Sequence, residues 1–242
     1  LTDPVISVII PTLQEVKYIE RTLGQFTPAL RERHRVEIIV SDGGSTDGTI
    51  EKSRDLADVV LVLDGGRQNI SMGRNVGARR ARGEYLVFIN ADTVVGDVED
   101  FFSRVQLLKD RKIAGITCNV YIYPEAELFS DRIFHKALNA YFRFLNVCGV
   151  GMGRGECQIV RKELFMQVNG YDETIAAGED FDLFVRLRRL GRITFLKDLK
   201  VYESPRRFRR YGYFNICMLW FVNAVFVLVR GKSMSKEWEP VR

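Results

Sequence analysis

Histidine is nearly missing from this chain of 242 residues, which holds only His34 and His135. One sits in a charged stretch and the other in an amphipathic one, so both read as surface or helix-face residues and neither is a natural general base. Cysteine is sparse as well. Cys118, Cys148, Cys157 and Cys217 form no C-x-x-C pair, which argues against a zinc site or a disulfide frame and for buried or idle thiols in a reducing compartment. There is no low-complexity tract and no internal repeat. No G-x-G-x-x-G follows the first β-branched run, which argues against a dinucleotide oxidoreductase. Pro11-Thr12-Leu13-Gln14-Glu15, which does follow it, lacks the glycines and cations of a nucleotidyltransferase phosphate loop. The excess of one charge is slight, formally +5, and gives no ground for expecting nucleic acid as a partner.

What is present is an alternation. Apolar residues make up 46% of the chain, enough for a sizeable core. Residues 5–10, 37–41, 58–62 and 85–90 are short, β-branched runs that read as buried strands. Residues 16–30, 49–56 and 71–80 between them have apolar residues at helical spacing. Such alternation predicts an α/β fold with a mostly parallel sheet covered on both faces. Farther on, 98–109, 129–145 and 180–189 read as helices and 113–120, 156–160 and 193–196 as strands, with a loosened stretch at Gly149, Gly151, Gly153 and Gly155. No linker divides the chain. The expected organisation is one domain over 1–212 with an additional C-terminal element over 213–242.

In a parallel sheet, ligands gather at the carboxyl ends of the strands. Three of those ends are polar: Thr12 to Glu15, Asp42-Gly43-Gly44-Ser45-Thr46-Asp47-Gly48, and Asn90-Ala91-Asp92. Asp42 is a good acceptor for the N–H groups of a nucleobase, although the same segment also suits a simple strand-to-helix turn with a cap.

These residues belong to an ordered series that resembles glycosyltransferase family 2. It comprises Ser7 to Thr12 with Glu15, Val40 to Thr49, Arg74-Asn75-Val76-Gly77, Gly83-Glu84-Tyr85, Asn169-Gly170-Tyr171-Asp172, and Glu179-Asp180-Phe181-Asp182. The resemblance implies a GT-A fold and an inverting sugar transfer from a nucleoside-diphosphate donor. Pro11, Thr12 and Glu15 would line the base and ribose site, and Asp42, with Gly43, Gly44 and Ser45, would meet the base. Gly73, Arg74 and Asn75 would lie along the nucleotide. Asn90, Ala91 and Asp92 fall where the family has its D-x-D motif, whose Mn2+ or Mg2+ neutralises the leaving diphosphate. The first aspartate is here Asn90, which leaves Asp92 as the strong ligand. Glu203 stands where a second ligand is often a histidine, and it reads equally as a structural carboxylate. Asp180 resembles the catalytic base, kept ionised by a helix N-terminus, with Glu179 and Gly153 on the acceptor side.

The tail adds a second theme. Arg206-Arg207-Phe208-Arg209-Arg210 precedes an apolar run at 213–229 that is interrupted by Asn215 and Asn223. As a helix this run is about 25 Å long, short of the roughly 30 Å hydrocarbon core of a bilayer. An anchor lying on an anionic lipid surface is one reading, and a helix packed on the domain is the other. Arg206 and Arg207 are also placed to pair with a diphosphate, leaving Arg209 and Arg210 for lipid. Residues 5–10 are too short for a signal peptide, so the expected location is the cytoplasmic side of the membrane. A lipid-linked or glycan acceptor is expected, with GDP-mannose first among donors and UDP-glucose or a UDP-N-acetylhexosamine next. A catalytically silent sugar-nucleotide-binding scaffold is the non-enzyme alternative that Asn90 leaves open.

Overall fold

The computed structural model describes residues 3–63, 69–230 and 233–234. The first half alternates as expected: β1 (Ile6–Thr12), α1 (Ile19–Gly24), α2 (Pro28–His34), β2 (Val36–Asp42), α3 (Thr49–Leu56), β3 (Val59–Val62), α4 (Ile70–Arg80) and β4 (Tyr85–Phe88). Then follow β5 (Val94–Val95), α5 (Val98–Val105) with a 3-10 turn at Gln106–Lys109, β6 (Ile113–Ile122) and α6 (Phe129–Val147). The chain continues through β7 (Gln158–Arg161), α7 (Lys162–Gln167), α8 (Glu179–Arg188), β8 (Arg192–Glu203), α9 (Arg206–Tyr211) and α10 (Tyr213–Arg230).

All eight strands form one sheet in the order β3-β2-β1-β4-β7-β6-β8-β5. The pairings β3-β2-β1-β4 and β6-β8 are parallel, and β7 and β5 run against their neighbours. Tracing directions across β7 puts β6 and β8 in the sense of the first four strands. The ends of β1, β2, β4 and β8 therefore open on one edge of the sheet. β1 and β2 are buried along their whole length, because helices cover both faces. Ile6, Val8 and Ile10 point into one core with Phe101 and Phe102, while Ile9 points into the other with Phe88, Phe165 and Phe184. On that second face α4 lies close to β1, and a Cβ on Gly77 would come within 2.5 Å of Ile9.

Three expectations give way to the structure. Residues 16–30 are not one helix: Pro28 has no N–H to continue a helical ladder, and Thr27 caps a new helix by accepting from the Leu30 N–H at 3.4 Å. The strand expected at 193–196 runs instead to Glu203, paired with β6 across a bulge. His135 is fully buried, its ring 5.1 Å from that of Phe208 and 5.4 Å from that of Phe134. Burial pushes its pKa down to about 3, so His135 is a neutral core residue. α10 forms as expected. No helix among the described residues is long and apolar enough to cross a membrane, and Lys232, at the end of the tail, lies outside those residues.

Candidate active site

The site is assembled from loops at the open edge of the sheet. Asp42, at the end of β2, is fully buried. One of its oxygens accepts from the backbone N–H groups of Gly44 (2.9 Å) and Ser45 (2.6 Å), and the other from the hydroxyls of Thr12 and Ser45 (both 2.7 Å). Asp42 is thus engaged within its own turn and is not among the residues that line the cleft. Its lone pairs are already used to fold the 42–45 turn back onto β1, and Gly44 and Ser45 belong to that turn. The cleft wall here consists of Pro11, Thr12, Ser41, Gly43 and Leu63.

α4 brings Gly73 and Arg74 to the cleft. Arg74 is fully buried and donates to Glu179 (2.9 Å), to the side-chain oxygen of Asn90 (2.9 Å) and to the Gly155 carbonyl (3.2 Å). It also sits over the Tyr171 ring, 5.1 Å from its centre. One guanidinium thus ties the loop after β4 to the start of α8. Asn75 faces away from the cleft, donates to the Tyr171 carbonyl and Glu173, and accepts from the Tyr171 N–H. It holds the 171–173 loop and is not among the residues that line the cleft.

Asp92 and Glu15 meet Arg206. The guanidinium donates to both Glu15 oxygens at 2.8 and 2.7 Å, lies 3.2 Å from Asp92, and stacks 4.7 Å above the Tyr18 ring. Burial raises the pKa of Glu15 and of Asp92, and Arg206 opposes both shifts. Arg207 also lines the cleft. Arg209 pairs with the buried Asp131.

A cluster at the middle of the cleft was not legible beforehand. Arg154 is almost fully buried and bonds Glu203 at 2.8 Å and Glu156 at 3.2 Å. Burial and the neighbouring Glu156 charge push Glu203 well above the usual carboxylate range. Glu156, against the effect of burial, is held low by Arg154. The available signal was two charges flanking Gly155 just before a buried strand. Gly153, expected on the acceptor side, is instead a packing position: a Cβ there would come within 2.7 Å of the Phe184 ring.

Among the described residues no three carboxylate, imidazole or thiol groups are gathered as a metal cage. Asp92 and Glu203 do both line the cleft. One or two carboxylates suit a Mg2+ or Mn2+ ion that takes its remaining oxygens from a diphosphate, so the residues present fit a cation that arrives with a nucleotide.

Asp180 opens α8 and accepts from the Gly155 N–H at 3.0 Å. Burial, then the adjacent Glu179 charge, raises its pKa to about 7, against the pull of Arg74. The helix N-terminus does not keep this carboxylate strongly acidic, because desolvation outweighs it. Arg74, Asp92, Arg154, Asp180, Glu203 and Arg206 line one cleft of about 1110 Å³. One half is the polar ground just described. The other is apolar, formed by α6 and α10.

The family model for glycosyl transferase family 2 matches residues 7–168. The succinoglycan biosynthesis protein ExoA of Rhizobium meliloti is 30% identical over 217 residues, 82% of this chain and 62% of that protein. The poly(ribitol-phosphate) beta-N-acetylglucosaminyltransferase TarS of Staphylococcus aureus is 27% identical over 146 residues, 53% of this chain and 26% of its own length. The chain thus spans less than two thirds of either relative. Among solved structures, the mannosyltransferase PcManGT from Pyrobaculum calidifontis in complex with GDP-Man and Mn2+ superposes with a TM-score of 0.65 at 22% identity, covering 84% of this chain and 57% of that one. Mannosyl-3-phosphoglycerate synthase from Rubrobacter xylanophilus gives 0.63 at 18% identity, covering 94% and 75%. At these identities the likeness speaks for the fold.

Proposed function

The chain belongs to glycosyl transferase family 2 and has the GT-A fold, and on that premise we propose that it moves a sugar from a nucleoside-diphosphate donor to an acceptor hydroxyl with inversion. The observation that carries this reading is Asp180, a carboxyl group with a pKa of about 7 in the same cleft as Asp92, Arg206 and Arg207. A general base acts best when its pKa lies near the working pH. Asp180 takes the proton of the acceptor hydroxyl as that oxygen attacks the anomeric carbon and the bond to the diphosphate breaks. The Gly155 and Phe181 N–H groups each donate to one carboxylate oxygen, which fixes the plane of the group while each oxygen keeps a further lone pair for the acceptor.

Arg206 and Arg207 receive the negative charge that builds on the leaving diphosphate. Asp92, with Glu203 as a second ligand, would hold a divalent cation, which when bound neutralises the same diphosphate oxygens. The amide of Asn90 is left to hydrogen-bond a ribose hydroxyl. Pro11, Thr12 and Gly73 form the wall against which the nucleoside lies.

GDP-mannose is the first donor to try, since PcManGT with GDP-Man and Mn2+ shares the fold. UDP-sugars are the alternative, because TarS, also solved in complex with UDP-GlcNAc, superposes with a TM-score of 0.59. The catalytic unit is residues 1–212. The tail from 213 is a helix lying against a membrane surface on the cytoplasmic side, where the acceptor is presented. Exposed Phe214, Phe221, Phe129 and Phe144 support that placement.

A thermal-shift panel tests the reading with GDP-mannose, UDP-glucose and UDP-N-acetylglucosamine, each with and without Mn2+. One donor is expected to raise Tm by several degrees, and more with the metal. No shift with any nucleotide sugar would remove the reading.

A further inference from the structure

We infer that the apolar half of the cleft holds the hydrocarbon chain of the acceptor, so that the acceptor is an amphiphile whose head alone reaches Asp180. The inference rests on the transferase reading and adds the chemical class of the acceptor to it.

Two apolar stripes border the cleft. On α6, Leu138, Tyr141 and Leu145 follow one another at three and four residues, and on α10 Trp220 and Phe221 stand four and three residues before Ala224. Each set therefore lies on one face of its helix. Stripes of this kind usually close on each other. Here the two helices meet near their starts, where the Phe134 and Tyr213 rings lie 4.7 Å apart and Phe208 packs against both Phe134 and Tyr213. Farther along both helices, the six side chains line the cleft.

A wet, contiguous apolar wall is unfavourable and marks a site for an apolar ligand. The cleft is continuous, so the occupant reaches from this trough to the carboxyl group of Asp180, with Phe181 beside it. A sugar has too little apolar surface to cover the trough. A free lipid would have nothing to present to the base. One molecule satisfies both halves: a hydrocarbon chain with a hydroxylated or phosphorylated head. The mouth fits that occupant, since Tyr141 and Phe221 are more than half exposed at its rim.

Two homologous series test this by calorimetric titration below their micelle concentrations: n-alkyl phosphates and n-alkyl glucosides of four to twelve carbons. In the series whose head fits, Kd is expected to fall about fourfold for each methylene buried, until the trough is full. Ala224→Phe, which fills the trough from α10, should weaken the twelve-carbon member at least tenfold and flatten the series. Leu145→Ser, a milder change on α6, should weaken it in the same direction. The donor-induced rise in Tm should be the same in both variants as in the natural protein. Affinity independent of chain length in both series overturns the inference. So does an unchanged chain-length dependence in Ala224→Phe, which would put the chain elsewhere. Loss of the donor effect with the chain-length dependence kept would instead sink the transferase reading and leave the trough standing.

Discussion

Asp180 and Glu179 are adjacent carboxyl groups with opposite tasks. Glu179 is ion-paired with the buried Arg74, while Asp180 has two backbone N–H donors and a pKa lifted to about 7. A base must be ionised to accept a proton, so transfer should rise as pH passes from 6 to 8 and level off above that range. The shift also has a stability sign. A carboxyl group whose folded pKa is raised binds its proton more tightly when folded, so its ionisation disfavours the fold above the ordinary carboxylate range. Asp180→Asn should therefore have a higher Tm than the natural protein at pH 8, and the gain should vanish near pH 4. Asn90 offers a second test at this scale. Its oxygen already accepts from Arg74, so an aspartate there would be held by the same guanidinium and add a charge beside Asp92. Asn90→Asp should lower the Mn2+ concentration needed for half-maximal activity several-fold, as read by metal titration. These residues were visible in the sequence through the ordered family motifs, whereas by spacing alone Asp180 reads as a helix cap. Asp42 was legible as a special residue, but its hydrogen bonds with Thr12 and Ser45 were not, because nothing along the chain brings those hydroxyls together.

Among the elements, α4 and α9 matter most, since each sends one arginine across the site. Arg74→Ala would leave Glu179 buried without a partner, a change that costs about 3–5 kcal/mol. Denaturant unfolding should show that loss in the midpoint with the slope unchanged. Arg206 spans Glu15 and Asp92, the carboxylates expected at the ribose and the cation. Removing it strips positive charge from a site that must receive a diphosphate. Arg206→Gln should raise the donor Kd about tenfold or more, in line with a lost charge-assisted hydrogen bond, and should flatten the salt dependence of binding. The elements themselves were largely legible, because buried strands and amphipathic helices announce their period. The failures have physical causes. Pro28 divides an apolar pattern that looks continuous, and β8 continues through Lys197 and Lys200 because pairing with β6 overrides their polarity. Arg154 and Glu156 lie in a glycine-spaced stretch with no period, and only the fold brings them to Glu203.

At the scale of the molecule, the sheet order brings four strand ends to one edge, and α6 and α10 extend that edge into an apolar trough. Strand direction was legible from the alternation, and so was the polar half of the cleft. The trough was not, because whether two apolar helices close on each other or stand apart is a matter of packing geometry and not of either helix alone. The central claim is that the cleft between Asp92 and Asp180 transfers a sugar from a nucleoside diphosphate. Release of nucleoside diphosphate, followed in the natural protein and in Asp180→Asn with the donor that raises Tm, tests it most directly. The account predicts metal-dependent release by the natural protein and a loss of at least a hundredfold in the variant, with the donor still bound. Equal release by the two proteins, or none from either, would contradict it.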